Sequence, residues 1–149
     1  MLRPATLEDM TRIFHCRNDP WIVSLSRSQR TVTWENHQTW FKQVLNNPEC
    51  LLFIINYDDT IPIGIVRLDR IHPKEAEITI YILKSYTGKG IGPKAIVEAS
   101  SLILNQWSVE TVKAEILKRN FASVSAFKKA GFVLRDLDKD QIYEMFLSL

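Results

Sequence analysis

The chain of 149 residues has little of several features that would place it in a special class of protein. Its two cysteines, Cys16 and Cys50, stand in no C-x-x-C pair, so neither a disulfide nor a metal site is indicated, and we interpret both as small buried hydrophobes. The longest apolar run, 51–55, is far too short to cross a membrane, and the start lacks the apolar core of a signal peptide. With 19 basic and 17 acidic residues and no basic run, a nucleic-acid partner is not indicated. We therefore expect a cytoplasmic protein with neither a membrane nor a nucleic acid as partner.

The length predicts a single domain over 1–149, because the chain is large enough for one core and too short for two ordinary ones. We find no internal repeat, linker or low-complexity segment. Glycine is also scarce, with five residues in all, yet three of them fall within the stretch 88–92.

That glycine stretch lies between an alternating apolar pattern and an amphipathic one, so it is expected to join a strand to a helix. Glycines let the backbone N–H groups turn toward one point, and the start of a helix adds its positive dipole end there. The spacing G-x-G-x-G fits neither the nucleoside-triphosphate loop nor the dinucleotide fingerprint. The loop therefore predicts an anion site of another kind, with a simple tight turn as the alternative.

Apolar periodicity and capping residues predict alternating strands and helices along the whole chain. Strands are expected over 2–5, 50–56, 61–68, 76–83, 111–116, 132–135 and 142–147. Helices are expected from Thr6 toward Arg17, over 21–25, 34–45 and 121–130, and from about Pro93 toward Trp107. The strand over 76–83 places three isoleucines on one face and three polar residues on the other: Ile78, Ile80 and Ile82 against Glu77, Thr79 and Tyr81. A strand, a helix and a further strand then imply a parallel pair.

A second motif follows in the last third of the chain. Asn120 is placed to cap a helix, and Gly131-Phe132 to close it, with Phe132 packed on Phe127. Taken with the stretch Thr87-Gly88-Lys89-Gly90-Ile91-Gly92 and the segment Asn120-Phe121-Ala122-Ser123, this order of parts resembles the GNAT superfamily of acetyl-CoA-dependent N-acetyltransferases over nearly the whole chain. The closer similarity is to bacterial enzymes that acetylate nucleotide-linked amino sugars in nonulosonate and surface-glycan synthesis.

The resemblance implies an α/β (α+β) fold: a mixed, mostly antiparallel twisted sheet with a central parallel pair splayed around the acyl-CoA, and helices on both faces. It implies acetyl-CoA (coenzyme A) as the acyl donor. The residues it assigns to the donor are Ile80, Tyr81, Ile82, Thr87, Gly88, Lys89, Gly90, Ile91, Gly92, Lys94, Asn120, Ser123 and Phe127. Two of them depart from the family pattern, since Thr87 stands where Arg or Gln is preferred and Phe127 where many members have tyrosine.

The catalytic residues are also assigned through the resemblance, which implies direct attack of an amine on the thioester. Glu77 is the first choice for the base because it shares a strand face with Tyr81, and Glu115 is held in reserve. An amide of Tyr81 or Ile82 would stabilise the oxyanion. Phenylalanine at position 127 cannot protonate the leaving thiolate, so Ser123 is assigned there, with the hydroxyls of Tyr81 and Tyr86 as alternatives.

The acceptor site is expected in the first two helices and their loop, which carry a cluster of polar and aromatic residues. The candidates are Asn18 and Asp19 for sugar hydroxyls, Arg27 and Arg30 for a nucleotide phosphate, Trp21 or Trp40 for stacking, and His37 as a further contact.

Three alternatives to a nucleotide-amino-sugar acetyltransferase stay open from the sequence. One is acetylation of a protein N-terminus or another peptide amine, and a second is a catalytically silent acyl-CoA-binding module. The third is an unrelated α/β nucleotide binder. The apolar strand over 142–147 either pairs between subunits of a homodimer or completes the sheet.

Overall fold

The computed structural model describes residues 1–135 and 140–149; the predicted domain of 1–149 also contains residues 136–139, which lie outside the described residues. In the described ranges, seven strands form one sheet, and five α-helices accompany it. The strands are β1 (Leu2–Pro4), β2 (Cys50–Tyr57), β3 (Ile61–His72), β4 (Glu75–Ile82), β5 (Thr111–Leu117), β6 (Val133–Arg135) and β7 (Ile142–Ser148). The helices are α1 (Met10–Arg17), α2 (Pro20–Leu25), α3 (Trp34–Asn46), α4 (Ile91–Leu102) and α5 (Phe121–Lys129). Across these ranges, we find no helix with the length and apolarity that a membrane span requires.

Each predicted strand and helix is present, with two changes of helix bounds. The helix expected from Thr6 begins at Met10 after a short 3-10 turn, and the helix expected to run toward Trp107 ends at Leu102.

Several ends follow from local capping. The hydroxyl of Thr33 accepts a hydrogen bond from the N–H of Asn36 at the start of α3. At the end of α5, Gly131 takes a left-handed φ of 97°, and the N–H of Phe132 donates to the carbonyl of Phe127 at 3.0 Å. This closure brings the rings of Phe127 and Phe132 edge to face, 5.0 Å apart, as predicted.

Strand β3 differs most from expectation, because it continues to His72 by pairing with the start of β4. Pro62 lies near the start of β3, although β3 is an interior strand and proline cannot donate a hydrogen bond to a neighbouring strand. Pro62 is tolerated there because it pairs with β2 beside a bulge, while the ladder to β4 begins only at Gly64.

The sheet order is β1-β2-β3-β4-β5-β7-β6, and all neighbours are antiparallel except the central β4 and β5. This confirms the mixed sheet with a central parallel pair. The two strands pair only over Glu75–Glu77 and Thr111–Lys113, after which they separate toward their carboxyl ends. Strand β7 pairs with both β5 and β6, so it completes the sheet, and neither of its edges is left for a second subunit.

The helices divide between the two faces of the sheet, each covering its own core. The larger core lies under α4 and α5 and includes Ile78, Ile96 and Phe127. The smaller core lies under α1 and α3 and includes Phe41 and Ile65. Alternation along β4 therefore directs its isoleucines toward α4 and α5, and Glu77, Thr79 and Tyr81 toward the face that α1, α2 and α3 cover.

Candidate active site

A cleft of about 1020 Å³ opens where β4 and β5 separate. It is bounded by the glycine loop and the start of α5 on one side, and by α2, α3 and the segment between them on the other. We call the first side the donor half. The second side, together with the lining residues of α1, β3, β4 and β5 that face it, is the acceptor half. The predicted residues that line the cleft are Trp21, Arg27, His37, Trp40, Glu77, Ile80, Tyr81, Ile82, Thr87, Gly88, Gly90, Gly92, Glu115, Asn120, Ser123 and Phe127.

The glycine loop leads directly into α4, and Gly90 is the residue that precedes the helix. Gly88 and Gly90 have φ values of 75° and 78°, and no atom lies within 4 Å of a Cβ built on either. The loop therefore keeps the backbone accessible, and Gly88, Gly90 and Gly92, which line the cleft, can offer their N–H groups beside the start of α4. Such a cradle of amides at a helix start fits the pyrophosphate of coenzyme A, and supports the predicted placement of the donor.

The charges that were expected near this loop lie elsewhere. The ammonium of Lys89 is directed at two aromatic rings, 5.9 Å from that of Tyr57 and 5.4 Å from that of Tyr86. Lys89, Ile91 and Lys94 do not line the cleft, whereas Lys129 of α5 does, and sequence reasoning missed it. The structure thus offers Lys129, in place of Lys89 and Lys94, as a cation for the donor half.

Of the two amides expected to face the thioester, the structure retains one. A Cβ built on Gly64 would lie 2.1 Å from the carbonyl oxygen of Tyr81, so the peptide groups of Tyr81 point toward β3. Backbone groups of successive strand residues point to opposite neighbours. The N–H of Ile82 consequently faces the cleft, and that of Tyr81 does not.

The donor half is completed by the start of α5. The side-chain oxygen of Asn120 accepts the N–H of Ser123 at 3.2 Å and so begins the helix as predicted. Ser123 is half-buried, and Phe127 one turn further on is 2% exposed. Asn120 therefore acts on the donor site by positioning α5, which brings Ser123 and Phe127 to the cleft.

Tyr81 projects into the acceptor half, where its ring packs against the smaller core. Burial raises the pKa of the Tyr81 hydroxyl above its ordinary value, against the opposing effect of the positive charges of Arg17 and Arg67. A thiol titrates near about 8.5, so a phenol of raised pKa holds its proton more tightly than the leaving sulfur would. Tyr81 therefore stays protonated and is suited to donate a hydrogen bond.

The two candidate bases lie on neighbouring strands and share one lysine. The ammonium of Lys113 lies 3.7 Å from Glu77 Oε2 and 3.4 Å from Glu115 Oε1. Glu115 is also paired with Arg27, whose Nη1 lies 2.8 Å from Oε2. Among the described residues, Glu77 has one ion-pair contact, longer than either of those of Glu115, so its carboxylate is the better placed of the two to accept a proton.

Two residues assigned to sugar hydroxyls serve the local fold instead. The amide of Asn18 donates to the carbonyl of Val32 at 2.9 Å and accepts its N–H at 2.8 Å. The carboxylate of Asp19 accepts the N–H of Trp21 at 3.0 Å and caps α2. Neither lines the cleft, and Arg30 is exposed outside it. The structure therefore does not bring these three residues to the cleft: Asn18 and Asp19 are engaged in local hydrogen bonds, and Arg30 lies outside it.

His37 lines the cleft and is also held by the fold. Its Nε2 donates to the carbonyl of Met10 at 2.8 Å, and the rings of Phe14, Trp34 and Phe41 surround it. Burial lowers the pKa of His37, which keeps the imidazole neutral. His37 therefore lines the acceptor half as an uncharged side chain.

Two arginines of the acceptor half were not assigned from the sequence. Arg17 is the last residue of α1, and Arg67 lies on β3 with its guanidinium carbon 5.8 Å from the Trp40 ring. Both line the cleft. The alternation of β3 offered a signal for Arg67, because it shares a face with Ile65 and so points toward α1 and α3.

A mixed sheet whose central parallel strands separate beside a glycine loop that begins a helix defines the class of acyl-CoA-dependent acetyltransferases. The sequence profile of the Acetyltransferase (GNAT) domain matches residues 1–133. The chain belongs to the GNAT family and is an acetyltransferase whose acyl donor is acetyl-CoA.

Known proteins of similar sequence and structure are also acetyltransferases, and two of those described next are named for spermidine. The chain is 24% identical to the Campylobacter jejuni acetyltransferase PseH over 91% of its length and 84% of that protein. It is 21% identical to a spermidine N(1)-acetyltransferase of Thermoplasma acidophilum over 92% of its length and 90% of the relative. The structure of a Vibrio cholerae spermidine N-acetyltransferase with CoA and spermine aligns with a TM-score of 0.84 at 19% identity, covering 99% and 94% of the two chains.

Proposed function

We propose that this acetyltransferase transfers the acetyl group of acetyl-CoA to the primary amine of a nucleotide-linked amino sugar. The observation that carries the proposal is a buried, unpaired guanidinium nitrogen in the acceptor half. Nη1 of Arg17 has no hydrogen-bond partner among the described residues, and Nη2 donates to the hydroxyl of Ser28 at 3.3 Å. A buried charged donor without an acceptor is costly, so an anionic group of the acceptor is its natural partner.

The charges of the cleft favour an acceptor that carries negative charge. Three arginines and two glutamates of the described residues line the acceptor half: Arg17, Arg27 and Arg67 against Glu77 and Glu115. A polyamine would meet more positive than negative charge there, which disfavours it despite the spermidine enzymes among the relatives. A nucleotide diphosphate supplies the opposite sign.

The acceptor half also offers flat apolar surface for a ring. Trp21 and Trp40 line it, and Arg67 lies over the Trp40 ring. Indole faces stack on sugar and base rings. An amine attached to a phosphorylated sugar would satisfy both the arginines and the tryptophans.

In this mechanism acetyl-CoA supplies a thioester whose carbonyl carbon is attacked directly. The glycine loop and the start of α4 hold the pyrophosphate, and the N–H of Ile82 stabilises the charge that develops on the carbonyl oxygen. Glu77 accepts the proton of the acceptor amine, directly or through a water. Ser123 donates a hydrogen bond toward the leaving sulfur, with Tyr81 as a second donor.

A thiol-release assay with acetyl-CoA tests the proposal. The acceptors are UDP-glucosamine, glucosamine, spermidine and a short peptide with a free N-terminus. We expect the highest kcat/KM with UDP-glucosamine. A higher kcat/KM with spermidine would overturn the amino-sugar assignment, and one with the peptide would favour N-terminal acetylation.

A further inference from the structure

An ion pair joins the two sides of the acceptor half. Arg27 lies in the segment between α2 and α3, and Glu115 lies on β5. Their side chains meet at 2.8 Å between Nη1 and Oε2, and both residues line the cleft. The pair therefore occupies space in which the acceptor must bind.

Arg27 and Glu115 differ in how exposed their side chains are and in how many contacts hold them. The Arg27 side chain is 56% exposed, whereas that of Glu115 is 14% exposed and also contacts Lys113 at 3.4 Å. A partly exposed ion pair adds little to stability because water screens it. Arg27 is thus the mobile partner, and a change in its contacts would disturb the fold little.

Two further contacts hold the end of α2 and the segment that follows it. Arg119, which follows β5, donates from Nη2 to the carbonyl of Ser24 at 2.6 Å. Arg17 donates to the hydroxyl of Ser28. The segment consequently stays in place when Arg27 turns away from Glu115, and the contact with Ser28 keeps the unpaired nitrogen of Arg17 near the same position.

We propose that Arg27 and Glu115 form a specificity-determining pair, whose charges are exchanged for those of the acceptor. This inference rests on the proposed function. The phosphate of the acceptor replaces Glu115 as the partner of Arg27, and the ammonium of the acceptor replaces Arg27 as the partner of Glu115. The ammonium then gives its proton to Glu77 before attack, and Glu115 keeps Lys113 as its partner.

This exchange explains how the site would reject acceptors of the wrong charge. A polyamine satisfies Glu115 but leaves Arg27 unpaired beside a second cation. A neutral sugar amine satisfies Glu115 and leaves Arg27 without an anion. An acceptor with both an amine and a phosphate satisfies both residues.

The test measures kcat and KM for UDP-glucosamine and glucosamine in the wild type, Arg27→Gln, Arg27→Lys and the control Arg12→Gln, whose arginine is exposed on α1 and outside the cleft. In Arg27→Gln we expect kcat/KM for UDP-glucosamine to fall about tenfold or more, through KM, as the loss of one charge-assisted hydrogen bond predicts. The value for glucosamine should stay the same or rise, because Glu115 is released. Arg27→Lys should retain most of the wild-type preference for UDP-glucosamine over glucosamine, measured as the ratio of their kcat/KM values. Arg12→Gln should retain all of it.

Calorimetric titration with CoA shows whether each variant retains the donor site. If kcat/KM in Arg27→Gln fell equally for UDP-glucosamine and glucosamine, or fell for neither, the inference would be overturned and the proposed function would stay in place. Absence of turnover by the wild type with every amine tested would overturn the proposed function and this inference with it.

Discussion

His37 donates a hydrogen bond from Nε2 to the carbonyl of Met10 across 2.8 Å, which ties α3 to the start of α1. Burial lowers the pKa of His37, so the folded state prefers the neutral imidazole and the unfolded chain binds the proton more readily. We expect the free energy of unfolding to decline as pH falls below about 6.5, the ordinary value of histidine. Urea denaturation between pH 5 and 8 measures this, and a His37→Gln variant should lose that part of the dependence. A free energy of unfolding of the wild type that stayed constant between pH 5 and 8 would contradict this prediction.

Arg3 and Asp9 form a two-point ion pair, at 2.9 and 2.8 Å, and Asp9 also accepts the N–H of Thr6. The hydrogen bonds from Arg3 hold the pKa of Asp9 below its usual value. This contribution to stability is present above the unfolded pKa of about 3.9 and is lost as pH falls through the lower folded value. We expect Asp9→Asn to lower the free energy of unfolding at pH 7 by about 1–3 kcal/mol. Glu8→Gln, at an exposed neighbour, is the control and should change it little.

Glu77 is expected to be the base of the reaction. Glu77→Gln should lower kcat/KM for the best acceptor by about 10²–10⁴, because the amide cannot accept the amine proton. CoA binding should be unchanged, which calorimetry would show. Full activity of this variant would remove Glu77 from the role, and an equal loss in Glu115→Gln would move the role to its neighbour.

Tyr81 is expected to act as a hydrogen-bond donor that keeps its proton. Because burial raises its pKa above the ordinary value of about 10, the rate should show no ionisation of Tyr81 between pH 6 and 9. Tyr81→Phe should lower kcat less than Glu77→Gln does, and both limbs of the pH–rate profile should stay where they are in the wild type. A basic limb that disappears in Tyr81→Phe would identify Tyr81 as an acid after all.

Gly90 precedes α4 with a φ of 78°, a conformation that side chains rarely adopt. Gly90→Ala should lower the free energy of unfolding by about 1–2 kcal/mol. The loss would come from backbone strain alone, because a Cβ at this position would meet open space and no clash would add to it. CoA affinity should fall as well, because the loop amides shift. Gly92→Ala is the matched comparison, as its φ is not left-handed and its Cβ would instead press on that of Ala126 at 3.3 Å. Equal stability of Gly90→Ala and the wild type would contradict the strain argument.

Much of the donor half could be predicted from the sequence because its signals are local. The alternation of β4, the caps at Thr33 and Asn120 and the closure at Gly131 depend on residues a few positions apart. Each was predicted and is present in the structure. The acceptor half was predicted less well, because a polar residue in a turn has the same sequence signature whether it caps a helix, as Asp19 does, or binds a ligand.

The sequence by itself determined the strands and helices, the glycine loop and the family, since periodicity, capping and motif spacing are properties of neighbouring residues. Only the tertiary structure decided which side chains face the cleft. It turned Lys89 toward two tyrosine rings, joined Asn18 to Val32, and brought Arg27 to Glu115. These contacts join residues that are far apart in sequence or on different elements. They depend on how the helices pack on the sheet, and patterns of neighbouring residues do not predict that packing.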